Sequence, residues 1–395
     1  MNFLTADLPG TGGIYKETPE DFQVEEIPLY PCCGAGEHLF LWIEKAGIST
    51  RELLHRLSRG LRIRERDIGY AGLKDARALT RQMISVPLFC HEHLEKLNEG
   101  SFKILQKVKH TNKLRLGHLA GNRFTITLRE TGPAAAPKAE KILSTLERLG
   151  VPNLFGEQRY GVLGNSALLG RLLLQKRYND FCREYIGDPE QIRHPQWQQA
   201  AHEFRAGNLP QAIALLPGRM RDERRLLHRL SAGEPAQTAV LSLPRNLLRL
   251  FLSAFQSGLF DRLVADRLTG LGHLLDGDIA YKHNNGACFI VEQAALEQPR
   301  ADCFEISPTA PLFGSKTMPA KGRPGEIETT LLQTFGLSSE SWNLGKGLTM
   351  PGERRPLRVP LESAKILDSG ADWLTLNFSL PKGSYATSVL REVCK

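Results

Sequence analysis

The 395-residue chain contains no apolar run as long as about eighteen residues, so a membrane-spanning helix is not expected. Residues 1–7 do not lead a basic region into an apolar one. No export signal is read there, and the expectation is a cytoplasmic protein without membrane partners. Cysteine is scarce: seven residues, an odd number, with no C-x-x-C pair. That argues against a disulfide scaffold and against paired-cysteine zinc or redox sites, and leaves free thiols. A P-loop, a G-x-G-x-x-G after a strand, a G-x-S-x-G elbow, zinc-finger spacing and an RNP-type aromatic signature are all missing. Nucleotide-driven, dinucleotide-redox and serine-hydrolase chemistries lose support accordingly. His93 precedes Glu95 as in the first half of a zinc-deaminase signature, yet no P-C-x-x-C follows, so His91 and His93 are read as surface histidines and no metal is expected. There is no repeat period and no low-complexity tract.

What is present is an ordinary globular composition, 41% apolar and 24% charged, long enough for two to three domains. The formal net charge is +8, from 51 basic and 43 acidic residues. Residues 51–81 hold nine basic and four acidic side chains, and residues 103–129 hold seven basic and none acidic. Smaller basic runs occupy 219–229 and 346–358. One such run is ordinary for a solvated helix face; four in one chain point to a polyanion, because phosphates are tracked by Lys and Arg spread over a surface.

Alternating or apolar segments at 22–27, 38–43, 83–86, 122–129 and 373–380 predict strands. Thr50 is placed to cap a helix whose leucines at 53, 54 and 57 share a face. Residues 155–300 change to helical texture, a separate and mainly helical unit, and the Pro- and Gly-rich stretch 308–325 predicts loops. A Gly-punctuated loop at 68–75 ends on Gly72-Leu73-Lys74-Asp75-Ala76-Arg77. A carboxylate flanked by Lys74 and Arg77 is held ionised and can act as a nucleophile; from these few residues alone, ending a turn or capping the next element is the more ordinary role of such an aspartate.

Several separate motifs resemble one family, the TruD-type tRNA pseudouridine synthases. Lys16-Glu17-Thr18-Pro19-Glu20-Asp21-Phe22 looks like its opening motif, and Tyr70-Ala71-Gly72-Leu73-Lys74-Asp75 resembles its catalytic loop. Asn153-Leu154-Phe155-Gly156-Glu157-Gln158-Arg159-Tyr160-Gly161 is similar to a segment in which Phe is usual at the place of Tyr160. Gly352-Glu353-Arg354-Arg355-Pro356 and the run from Phe378 through Ser384 complete the set, in the family's order.

The resemblance implies an α+β fold: a discontinuous catalytic domain around a mostly antiparallel sheet, residues 1–152 and 343–395, with a second, largely helical α+β domain inserted at 153–342. It implies isomerisation of uridine 13 of tRNA to pseudouridine, with tRNA as partner, no cofactor, and a monomeric protein. Asp75 is the implied nucleophile, attacking either C1′ of the ribose or C6 of the base. Phe22 and Phe378 match substrate-contacting aromatics, and Asn122 matches a uracil-facing asparagine able to donate and accept. Phe124 closes the pocket floor, and Lys16 supports the aspartate or a phosphate. Core packing competes for Phe124 and Phe378, a turn for Asn122, and a structural ion pair with Glu157 for Arg159. Two other functions stay open: a non-catalytic tRNA-binding or folding protein, and a glycosidase pairing Asp75 with Asp21 or Glu25.

Overall fold

The computed structural model describes residues 3–97, 100–345 and 347–395. Backbone packing divides the chain into two units, Met1–Val151 with Val359–Lys395, and Pro152–Arg358.

The first unit is built on strands β1 (Phe22–Pro28), β2 (His38–Lys45), β3 (Leu79–Pro87), β4 (Phe102–His110), β5 (Leu119–Thr131), β6 (Glu362–Ser369) and β7 (Trp373–Pro381). They form one sheet in the order β6-β7-β5-β1-β3-β2-β4. Among the described pairs, β1–β3 alone is parallel, so the sheet is mostly antiparallel. β7 runs against β5 from Trp373 opposite Arg129 to Pro381 opposite Gly121. The two ends of the chain therefore share one sheet. The helices of this unit are α1 (Thr50–Leu61), α2 (Ala135–Leu149) and α3 (Ala386–Cys394).

Strand register decides what meets on the inner face. Val24, Phe124 and Phe378 form one row, and Glu26, Asn122 and Leu380 the next. Across the parallel pair Val24 lies opposite Thr80, and β2 brings Lys45 opposite Thr80 and Ile43 opposite Gln82. The apolar members gather into two clusters. One packs Phe22, Phe124, Ile126 and Phe378 against Ile142 and Leu146 of α2 and Val389 of α3. The other packs Leu41, Ile43 and Ile84 against Leu53 and Leu57 of α1. Each fully buried leucine or phenylalanine contributes about 1.5–3 kcal/mol relative to exposure.

Where the clusters meet, Glu26, Lys45, Thr80 and Gln82 are all buried. An unpartnered polar group there costs several kcal/mol; Lys45, Gln82 Oε1 and Glu26 Oε1 find hydrogen-bond partners, while Thr80 Oγ1 and Gln82 Nε2 have none among the described residues.

The cap of α1 differs from expectation. Ser49 accepts from the Glu52 N–H at 3.2 Å, while Thr50 is turned inward, its hydroxyl donating to Gln82 Oε1 at 2.9 Å.

The second unit is largely helical, with Ser166–Leu174, Tyr178–Ile186, Pro195–Arg205, Arg221–Ser231 and the long Arg245–Asp266. It also contains a four-stranded sheet ordered Cys288–Ile290, Ile279–Lys282, Ile306–Leu312, Glu353–Pro356. Two expectations change here. The stretch 308–325 is not loop throughout, since it contributes most of the Ile306–Leu312 strand and the start of the Gly322–Gln333 helix. That strand tolerates Pro308 and Pro311 because Ile306–Pro308 ladders with Lys282–Ala280 and Thr309–Leu312 with Pro356–Glu353, so each half has one ladder partner. The chain also returns to the first unit later than residue 343, at Val359, because Glu353–Pro356 is needed as the partner of that strand.

The 153–161 segment is pinned inside this unit. Asp261 accepts from the Phe155 N–H at 3.0 Å and from the Tyr160 hydroxyl at 2.6 Å, which gives the tyrosine found in place of Phe a partner of its own. Arg159 donates to the hydroxyls of Ser253 and Ser257. The Glu157 side chain, expected as its partner, lies outside the described residues.

Candidate active site

Asp75 sits in the loop joining the short Gly69–Tyr70 strand to β3. Three contacts from other parts of the chain and one within the loop hold it in place. The Lys74 N–H donates to Thr50 Oγ1 at 2.8 Å, which explains why Thr50 is not spent on capping. Lys45, on β2, donates to the main-chain oxygens of Ile48 at 2.7 Å and Asp75 at 3.0 Å. The Arg77 N–H reaches Asp75 Oδ1 at 3.1 Å. Lys16 Nζ reaches Asp75 Oδ2 at 2.7 Å and also lies 4.2 Å from the centre of the Phe22 ring. Lys16 takes a left-handed backbone with φ of 68°, a conformation costly for a non-glycine residue and often retained where a side chain must be aimed.

The Asp75 side chain is 34% exposed. Burial alone would push its carboxyl up. The hydrogen bond from Lys16 and the N–H groups of Arg77 and Ala76 outweigh that and hold it below the ordinary carboxylate value, so it is ionised at neutral pH. The charge comes from a different place than the sequence suggests. Arg77 contributes its main-chain N–H, and the Lys74 side chain turns away from Asp75 to the polar seam.

There Lys74 Nζ donates to Asn122 Oδ1 at 2.5 Å and lies 3.1 Å from Glu26 Oε2. Lys74 is 5% and Glu26 1% exposed. The Oε2 contact is ionic, outside hydrogen-bond alignment, while Glu26 Oε1 accepts from the Met83 N–H at 3.3 Å. Burial raises the Glu26 carboxyl, partly offset by the Lys74 ammonium. Burial likewise lowers the Lys45 ammonium to about 8, against the opposing pull of Asp75. Glu26 also lines a cavity of about 250 Å³ with Tyr30, Cys32, Phe40, Met83 and His118.

The three aromatics are all buried in one cluster. Phe22 packs edge-on to Phe124 at 6.3 Å under the Lys16 ammonium, and Phe124 stacks obliquely on Phe378 at 5.5 Å. Phe378 has no exposed surface and backs Phe124 within the core. Lys16, Phe22 and Asp75 are thus linked by direct contact, and Asn122 joins them through Lys74. Sequence reasoning gives Glu26 and Lys45 no role of their own at the site, takes Thr50 for a helix cap and sets the Lys74 charge beside Asp75. An acidic residue on the core-facing phase of β1 and a lysine on that of β2 are signals that could have marked two of them.

Among the described residues no group of three or more His, Cys, Asp or Glu side chains is placed to hold a metal, and no helix is long and apolar enough to cross a membrane. Asp21 is taken by Arg129, with Oδ1 2.7 Å from its Nη2, and Glu25 faces Arg81 and Arg123. Neither carboxylate contacts Asp75, and arginine pairing leaves neither poised as a glycosidase partner.

A loop carboxylate held ionised by a lysine lies above an aromatic-backed sheet assembled from both ends of the chain, and the similarity of this chain to known proteins runs over its whole length. The family model for tRNA pseudouridine synthase D (TruD) matches residues 1–393. The tRNA pseudouridine synthase D of Syntrophotalea carbinolica is 56% identical over 394 residues, covering 100% of this chain and 99% of that protein. The protein of the same name from Thermus thermophilus is 39% identical, covering 100% of this chain and 92% of its own length. A crystal structure described as a putative tRNA pseudouridine synthase D (TruD) from Methanosarcina mazei superposes with a TM-score of 0.84 at 29% identity, over 100% of this chain and 96% of that one. The chain belongs to the TruD family.

Proposed function

We propose that this protein isomerises uridine 13 of tRNA to pseudouridine, with Asp75 as nucleophile and without a cofactor. The carrying observation is the state of Asp75: ionised, one-third exposed, and held at both carboxylate oxygens while its main-chain oxygen is fixed from below. In the reaction the carboxylate adds to C1′ or C6 of a nucleotide drawn out of its stack. The N1–C1′ bond breaks, the base turns, C5 bonds to C1′, N1 gains a proton as C5 loses one, and the carboxylate is released. Every atom of the substrate is retained, so no outside reagent is required.

Lys16 keeps the nucleophile charged before attack. Phe22 offers its ring to the extruded base, Asn122 faces the polar edge of the uracil, and Phe124 with Phe378 behind it forms the wall of the pocket. The basic runs at 51–81 and 103–129 belong to the same unit as Asp75 and supply a phosphate-tracking surface.

The test is to incubate unmodified tRNA with the purified protein and nothing else, then map pseudouridine. Product is expected at position 13 from the wild type and none from Asp75→Asn, with tRNA affinity changed less than about threefold. Wild-type binding without product favours a non-catalytic tRNA-binding protein, release of free uracil favours a glycosidase, and product from Asp75→Asn removes the nucleophile from its role.

A further inference from the structure

We infer that Lys74, seated on Glu26, is a positioning residue that fixes the amide of Asn122 as a hydrogen-bond donor, so that the site recognises a carbonyl of the base and not a donor–acceptor pair. This rests on the proposed reaction and deepens it. A lysine ammonium has three donors and no acceptor, so the amide atom it meets at 2.5 Å must be the oxygen. Turning the amide over would set an N–H against the ammonium in a nearly buried place. Lys74 cannot withdraw, because leaving would strand the buried Glu26 carboxyl. The oxygen of Asn122 is therefore occupied. Its Nδ2 has no partner among the described residues, and it is the group left to meet a base.

A donor-only contact suits this chemistry. A half-turn of uracil about its C6–N3 axis brings C5 to the place of N1 and exchanges O2 with O4. Both are carbonyl acceptors, so a fixed N–H finds the same partner before and after the turn. Cytosine carries a carbonyl at one of those positions and an amino group at the other. Whichever edge faces Asn122 first, one of the two orientations then sets donor against donor. Discrimination against cytosine is built into the turn itself, and a site made to hydrogen-bond one group rejects the analogue lacking it strongly.

The order of two substitutions tests this. Asn122→Ala removes the donor and should lower kcat/KM about tenfold. Asn122→Asp keeps the shape, pairs with Lys74, and turns a carboxylate oxygen on the base carbonyl, so it should be worse, by about a hundredfold or more. A residue with a packing role, or one that accepts from the base N3–H, gives the opposite order, and that order overturns the inference. The second arm is a cycle. Lys74→Met lowers kcat/KM in the wild-type background and should have little further effect in the Asn122→Ala background, since it acts through that amide.

Lys74→Met leaves Glu26 unpaired, so Lys74→Met with Glu26→Gln provides a variant with neither charge, and thermal melting reports its folding. Losses from Lys74 and Asn122 that simply multiply refute the coupling. All arms are read against a wild type that makes pseudouridine: absence of wild-type product fails the proposed function, whereas an active wild type with the wrong order fails this inference alone.

Discussion

Replacing Lys45 by Met separates folding from catalysis, because the structure gives the ammonium opposing effects. Lys45 is 1% exposed, and burial lowers its ammonium from 10.5 to about 8. At roughly 1.4 kcal/mol per pH unit, removing that buried charge returns about 3 kcal/mol. Against this, the carbonyls of Ile48 and Asp75 lose their donor, at about 1–3 kcal/mol each. Midway in that range the losses exceed the gain by only about 1 kcal/mol, so melting should fall by about 2–4 °C, at roughly 2–4 °C per kcal/mol for a unit of this size. Catalysis has no such compensation. The Asp75 backbone loses its anchor, and a displacement of about 1 Å at a nucleophile can cost on the order of a hundredfold. Single-turnover pseudouridine formation at pH 7.5 is therefore expected to fall at least about tenfold with the fold intact. The pH dependence provides an independent check. The folded value lies below the unfolded one, so the wild type bears the full cost of the charge below pH 8 and sheds it as pH rises toward 10.5. Wild-type stability relative to Lys45→Met should improve across that window. A wild-type rate from Lys45→Met, or a wild-type stability that stays flat or falls relative to Lys45→Met across that window, would refute the reasoning.

Other outcomes follow from the same contacts. Lys16→Met removes the largest influence opposing the burial of Asp75, so the carboxyl rises and the acidic limb of the kcat/KM–pH profile moves to higher pH; an unmoved limb denies the ion pair its role. Because that pair is partly exposed, the shift should shrink in high salt. Binding of tRNA to Asp75→Asn, measured by filter retention, should weaken steeply between 50 and 200 mM salt, roughly a thousandfold if about six phosphates are contacted. Tyr160→Phe takes a donor from Asp261 and should cost about 1–2 kcal/mol in denaturant melts, which an unchanged midpoint would contradict. Phe124→Ala opens the aromatic row between Phe22 and Phe378 and should cost about 3–5 kcal/mol, whatever its effect on substrate.

The strands that face the core on one side were legible because their alternation is clean: Phe124, Ile126 and Leu128 are buried in turn, with Arg123 and Arg129 outward. In the sequence β4 shows only as charge. Its lysines 103, 107 and 109 occupy an edge strand, where charged side chains blunt further pairing and hide the strand pattern. α2 is masked in the sequence because Pro137 falls in its first turn, a place where proline is tolerated but reads as a breaker. At the site, Asp75 was visible as a carboxylate in a glycine-bounded loop. The direction of its neighbours was not, because chain adjacency puts Lys74 beside Asp75 whereas strand register puts Glu26 opposite Asn122, and the lysine answers the deeper demand. A local window cannot weigh a buried carboxyl contributed 48 residues upstream.

Asn377 hydrogen-bonds the backbone of Phe124 across a separation of 253 residues. At a synthesis rate of about 5–20 residues per second, β5 emerges from the ribosome roughly 13–50 s before the strand that covers its flank. During that interval the nascent polypeptide exposes a long, apolar strand edge, and the intervening unit has time to fold by itself. Premature termination anywhere before β7 would leave that edge open, so incomplete chains of this protein are expected to clump or be degraded and not to linger as partly active enzyme.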